Sequence, residues 1–110
     1  MGGGFLQVKP ESFSQDFAAD VPKPIAHFMA ISQVPISTQA FTAKATAAWS
    51  KKASYAVIAK QDRMINPDLE RFMAGRAKSQ TTELSGSHAL YISHAKDVAV
   101  LIENAAKAAE

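Results

Sequence analysis

Asp62 and His88 are the two side chains whose types and spacing could do chemistry. Each lies just past a short β-like run, Tyr55-Ala-Val-Ile-Ala59 before the acid and Thr81-Thr-Glu-Leu84 before the histidine, and each is followed by a helical pattern. An aspartate that accepts from one imidazole nitrogen fixes the tautomer and leaves the other nitrogen as a base near neutral pH. That is the pairing that serves a nucleophile. Parallel strands set their C-terminal ends side by side, so the two residues would share the edge where α/β sheets place their ligands. Singly, each has a plainer reading. Asp62 could pair with Arg63 or cap the next helix, and a lone histidine is more often a hydrogen-bonded surface residue than a catalyst.

Positioning two such residues requires a strand–helix–strand–helix unit, and residues 53–110 have that rhythm. Tyr55–Ala59 is a short apolar, partly β-branched run of the kind buried on both faces in a parallel sheet. Asn66 is a good N-cap and Pro67 a good first helical residue, with Asp68 and Glu70 where the helix dipole favours negative charge. This helix is expected to carry Leu69, Phe72 and Met73 inward and to fray between Gly75 and Lys78. After the second strand and the Gly86 loop, a final helix starts at Ser93 or His94, with Val98, Leu101, Ile102 and Ala105 on one stripe. Strand, helix, strand, helix within about 55 residues is a βαβα unit with a parallel crossover.

Residues 5–52 read instead as short helices broken by prolines. Phe5–Lys9 suits a short strand or an extended arm. Pro10 opens a helix with Phe13, Phe17 and Ala18 on one face. Pro22 and Pro24 interrupt it. A second helix from Pro24 to Gln33 places Ile25, Phe28, Met29 and Ser32 together, and a third, alanine-rich one covers Thr38 to Ala48. Met1 to Gly4 reads as a disordered start, either a start codon with a spacer or a truncation scar.

Composition narrows the function classes. The chain has 110 residues, 47% of them hydrophobic, which suits one globular domain. No apolar run approaches the roughly 20 residues that cross a bilayer. No basic n-region or apolar h-region precedes the fold, so a cytoplasmic location is expected. A net charge of +2, with the charges interspersed, gives no nucleic-acid footprint. Cysteine is absent, which removes disulfides, thiolate metal sites and a Cys nucleophile. His88, His94 and Asp97 match no HExxH-type spacing, so no metal or other cofactor is expected.

The segment from Ala59 through Asp62-Arg-Met-Ile-Asn-Pro67 to Ala74, with Gly86-Ser-His88 and Ser93-His-Ala-Lys-Asp-Val98, resembles the C-terminal part of bacterial α/β-hydrolases. Phe5 to Pro35, including Phe17-Ala-Ala-Asp-Val-Pro22 and Ser32-Gln-Val-Pro35, looks like the cap region of the same family. The resemblance implies a partial α/β-hydrolase fold: a βαβα unit with parallel strands, preceded by cap-like helices. In that family the triad runs Ser, Asp or Glu, His along the chain. Asp62 and His88 correspond to the last two members, with His88 as general base and acid in hydrolysis of a small carboxylic ester. The Gly-x-Ser-x-Gly elbow and the oxyanion loop are not in this sequence. Most of the acyl-transfer rate enhancement would therefore be missing from this chain alone.

A two-stranded sheet is marginal by itself and invites pairing. Self-association, or assembly with a separate N-terminal half, follows as an expectation. The alternative to an esterase is a non-catalytic, self-associating scaffold or binding module derived from the same family. A third version recruits Ser85, Ser87 or Ser93 as an improvised nucleophile.

Overall fold

The computed structural model of the chain describes residues 4–110, so of the start segment 1–4 only Gly4 lies among the described residues. Proline and polar caps decide where the helices begin. Helix α1 (Pro10–Asp16) starts on Pro10 with Glu11 in its first turn, and α2 (Lys23–Ile31) carries Pro24 in its first turn. A short ribbon closes the N-terminal arm: β1 (Phe5–Leu6) pairs antiparallel with β2 (Ile36–Ser37). The Gln33 side-chain amide accepts from the Val8 N–H and donates to the Val8 carbonyl, both at 2.9 Å. One side chain thus replaces a neighbouring strand along the arm.

The second half is a parallel pair. β3 (Tyr55–Ala59) and β4 (Gln80–Leu84) run in register from Tyr55 opposite Gln80 to Ala59 opposite Leu84, joined through α3 (Pro67–Arg76). The described residues therefore form a mixed α/β fold with one antiparallel and one parallel two-stranded sheet. Asn66 caps α3 as its type suggests, its Oδ1 accepting from the Asp68 N–H at 2.9 Å, with Pro67 in the first turn. The helix ends in a Schellman turn. The Ser79 N–H reaches the Ala74 carbonyl, and the Lys78 N–H reaches that of Gly75, with Lys78 at φ 54°.

Four expected elements differ in detail. No single helix covers 38–48. One 3-10 turn, Thr38–Phe41, opens that stretch, and a second, Ala48–Lys51, begins only at its last residue. Phe41 is exposed, so no packing repays the cost of nucleating a longer helix. Helix α2 buries Ala26 and Ala30 rather than Ile25 and Phe28, because alanines let it approach α1 around the buried Phe13 ring. Helix α3 turns Glu70 and Ala74 toward the sheet and leaves Leu69, Phe72 and Met73 exposed, Phe72 by 65%. Its rotation is held by Arg71, which donates to both carboxylate oxygens of Glu83 on β4 and to Asp68. The last helix, α5 (Ala95–Ala108), starts just past His94 as its pattern suggests, but a short helix not expected from the sequence, α4 (Leu90–Ser93), precedes it. Between them the His94 backbone is non-helical (φ -114°, ψ 36°), and its ring bonds the Ser85 carbonyl at 2.7 Å and Asp97 at 3.0 Å. Val98, Leu101 and Ala105 are half-buried along α5, whereas Ile102 is exposed.

The main core joins the two halves. Phe13, Ala18, Val21, Ala26 and Ala30 pack around Ala89, which belongs to the loop after β4. The Ala89 N–H donates to the Phe17 carbonyl at 3.0 Å. Ile58 and Ala59 are buried at the C-terminal end of β3. Among the described residues no helix is long and apolar enough to cross a membrane.

Candidate acid–histidine site

β3 ends at Ala59 in a tight turn, closed by the Asp62 N–H on the Ala59 carbonyl at 3.1 Å. Asp62 then folds its carboxylate back over its own backbone. Oδ1 accepts from the N–H groups of Met64 at 2.7 Å and Ile65 at 3.0 Å, the self-capping turn to which aspartate is suited. This leaves Oδ2 aimed across the sheet. β4 ends one strand away, and the Gly86 carbonyl accepts from the Gln61 N–H at 3.1 Å, stitching the two post-strand loops together.

His88 lies in the second loop, and its Nδ1 is 2.7 Å from Asp62 Oδ2. Burial pushes the Asp62 carboxyl up. Hydrogen bonds from the Ile65 N–H, His88 and the Met64 N–H outweigh it and hold the group below the ordinary carboxylate range. An ionised carboxylate only accepts, so Nδ1 carries the shared proton, and Nε2 is the ring nitrogen turned away from the acid. The Asp62 side chain is almost fully enclosed, while that of His88 is 29% exposed. The edge of the His88 ring meets Phe17, with centroids 4.7 Å apart, and Phe17 stacks in turn on Phe13. Asp62 is thus both a turn-capping residue and the histidine's partner. It is not paired with Arg63, which meets Asp16 at 3.2 Å.

The pair opens into a cavity of about 270 Å³ lined by Val57, Ala59, Asp62, Glu70, His88 and Tyr91, among others. Glu70 also faces this cavity, although by sequence it is marked only as a first-turn acid of α3. Burial pushes its carboxyl up to about 7, with the neighbouring Asp62 charge acting in the same direction. Its Oε2 is buried and has no hydrogen-bond partner among the described residues. The signal that could have found it is the stripe Pro67, Glu70, Ala74, Ala77, three and four residues apart, which is the less exposed side of α3.

The chain matches no family model, no curated protein and no solved structure.

The three serines weighed as nucleophiles do not engage the imidazole. Ser87 is buried and gives its hydroxyl to Asp20 Oδ1. Ser93 gives its hydroxyl to Asp20 Oδ2 at 2.6 Å. Ser85 meets a histidine only through its backbone carbonyl, and that histidine is His94. The two histidines point at separate acids, Asp62 and Asp97. Among the described residues no three His, Asp or Glu side chains converge as metal ligands would. What the arrangement offers is an oriented, partly exposed imidazole base on a buried carboxylate.

Proposed function

We propose that this chain is the C-terminal portion of an α/β-hydrolase. It presents Asp62 and His88 as acid and base of a Ser-Asp-His triad for a small carboxylic ester, in the cytoplasm and without a cofactor. The observation that carries the reading is the 2.7 Å contact between His88 Nδ1 and Asp62 Oδ2 across the ends of two parallel strands. Chain order and strand context agree with the last two triad members. In the chemistry, His88 Nε2 takes the proton of a serine hydroxyl as it attacks the ester carbonyl, then returns it to the leaving alkoxide. Asp62 holds the ring and stabilises the imidazolium that forms between these steps. The serine and the oxyanion donors come from a separate serine-bearing segment seated beside β3.

The test is complementation. Mixing the chain with the serine-bearing part of an α/β-hydrolase should produce turnover of a p-nitrophenyl ester. His88→Ala should abolish it, and Asp62→Asn should lower kcat by about 10⁴-fold, the magnitude that substitution has in a serine protease triad. A complex that forms without turnover would sink the reading.

A second reading is favoured by the apolar side chains left in solvent on both helical faces, Phe28 and Ile31 on α2 and Leu69 and Phe72 on α3. In it the chain is a non-catalytic, self-associating module. Asp62→Ala and His88→Ala should then leave the assembly's mass unchanged, and charge placed on those apolar faces should reduce it.

A further inference from the structure

The loop that carries His88 has no regular structure of its own, since β4 ends at Leu84 and α4 starts at Leu90. A base that must keep a 2.7 Å bond to Asp62 needs that loop held from a second direction. The turn between α1 and α2 supplies the hold. Asp20 Oδ1 accepts the Ser87 hydroxyl, Asp20 Oδ2 accepts the Ser93 hydroxyl at 2.6 Å, and the Ser87 oxygen accepts the Ala89 N–H at 3.3 Å. One carboxylate therefore grips the residue before His88 and the end of the helix after it. Three residues earlier, the Phe17 carbonyl takes the Ala89 N–H at 3.0 Å, and the Phe17 ring meets the imidazole.

The close fit leaves its mark on Gly86. A Cβ there would stand 2.7 Å from Asp20 Oδ2, 3.2 Å from Leu90 Cβ and 3.3 Å from His94 Cδ2. Glycine is needed at this position because the carboxylate approaches the backbone so nearly. Burial raises the Asp20 carboxyl, but the hydroxyls of Ser87 and Ser93 hold it below its ordinary range, so it is an ionised acceptor at neutral pH.

We infer that Asp20 is a positioning residue for the base: by clamping Ser87 and Ser93 it holds the 86–89 loop so that His88 Nδ1 stays on Asp62. The functional meaning of the clamp rests on the triad reading above, but the clamp itself does not depend on turnover. An acid of the N-terminal half, far away in sequence, thereby maintains the geometry of the base. Support from residues that hold the loop without touching the reacting atoms is what keeps a catalytic side chain within its productive range.

The test reads the low-field proton resonance of the His88 Nδ1–H in the full chain by NMR, together with its exchange rate with water. Asp62→Ala identifies the signal by removing it. Asp20→Ala should accelerate exchange at least tenfold or erase the resonance, whereas Asp20→Asn, which retains an oxygen acceptor, should recover most of the protection. Ser93→Ala removes one of the two grips and should give an intermediate rate, which covers the case in which Asp20→Ala does not fold. Ser54→Ala, which breaks the remote Ser54–Ser79 hydroxyl bond, controls for general destabilisation. The inference is overturned if Asp20→Ala exchanges like the parent, if Ser54→Ala accelerates exchange equally, or if the parent shows no protected imidazole proton. No serine partner or substrate enters the measurement, so failed complementation would reject the triad reading and leave the clamp standing.

Discussion

Three carboxylates near the imidazole are held in different states by their surroundings. Asp62 and Asp20 are both pushed up by burial, and both end low because backbone N–H groups, hydroxyls or the imidazole donate to them. Glu70 receives no comparable donors and faces Asp62, so it ends near 7. The consequences for pH have opposite signs. The stability supplied by Asp62 is present above the ordinary aspartate range and is lost as pH falls through its depressed value. Glu70 favours the fold while protonated, so its contribution is present below about 4.5 and declines as pH rises toward 7. Urea unfolding at pH 5 and pH 8 should show a loss on raising pH, of order 2 kcal/mol from Glu70. Glu70→Gln should flatten that slope. Asp62→Ala removes the acceptor of the Met64 and Ile65 N–H groups and should cost about 2–3 kcal/mol at neutral pH by the same measurement.

At the scale of elements, α3 shows how a helix can be well started, well stopped and still turned unexpectedly. Its start is Asn66 and Pro67, and its stop is the Schellman turn. The stop carries a cost, because Lys78 occupies the left-handed region at φ 54°, where a Cβ is unfavourable. Lys78→Gly should therefore stabilise the chain by about 0.5–1 kcal/mol in a urea midpoint comparison. The rotation of α3 depends on the ion pair between Arg71 and Glu83 and on small residues against β3, neither of which hydrophobic spacing reveals. His94, with its non-helical backbone, separates α4 from α5, and its ring bonds the Ser85 carbonyl and Asp97.

Across the whole molecule the surface is larger than the size relation gives for a compact monomer of this length. The chain exposes 8172 Å², where a monomer of this length is expected to expose about 5,900 Å². Its radius of gyration is 15.7 Å, against roughly 13 Å expected. Phe28, Ile31, Phe72 and Ile102 are each more than 60% exposed, and the β3–β4 sheet ends after two strands. Concentration-dependent mass in sedimentation or light scattering is the expected result, reduced by Phe72→Glu or Ile102→Glu. A monodisperse monomer at high concentration would contradict it. Residues that act within one turn of the chain were legible from sequence. Asn66, Pro67 and the Tyr55–Ala59 run announce themselves through capping, fixed φ and β-branched apolar character, which are local energies. Asp62 and His88 could be picked out by type and by their places after two strand-like runs. Only the folded chain decided that their side chains meet, that Glu70 is buried beside them, and that Asp20 grips the loop between Ser87 and Ser93. Those outcomes depend on helix rotation and on contacts across about 70 residues of chain, set by long-range packing that no local pattern encodes.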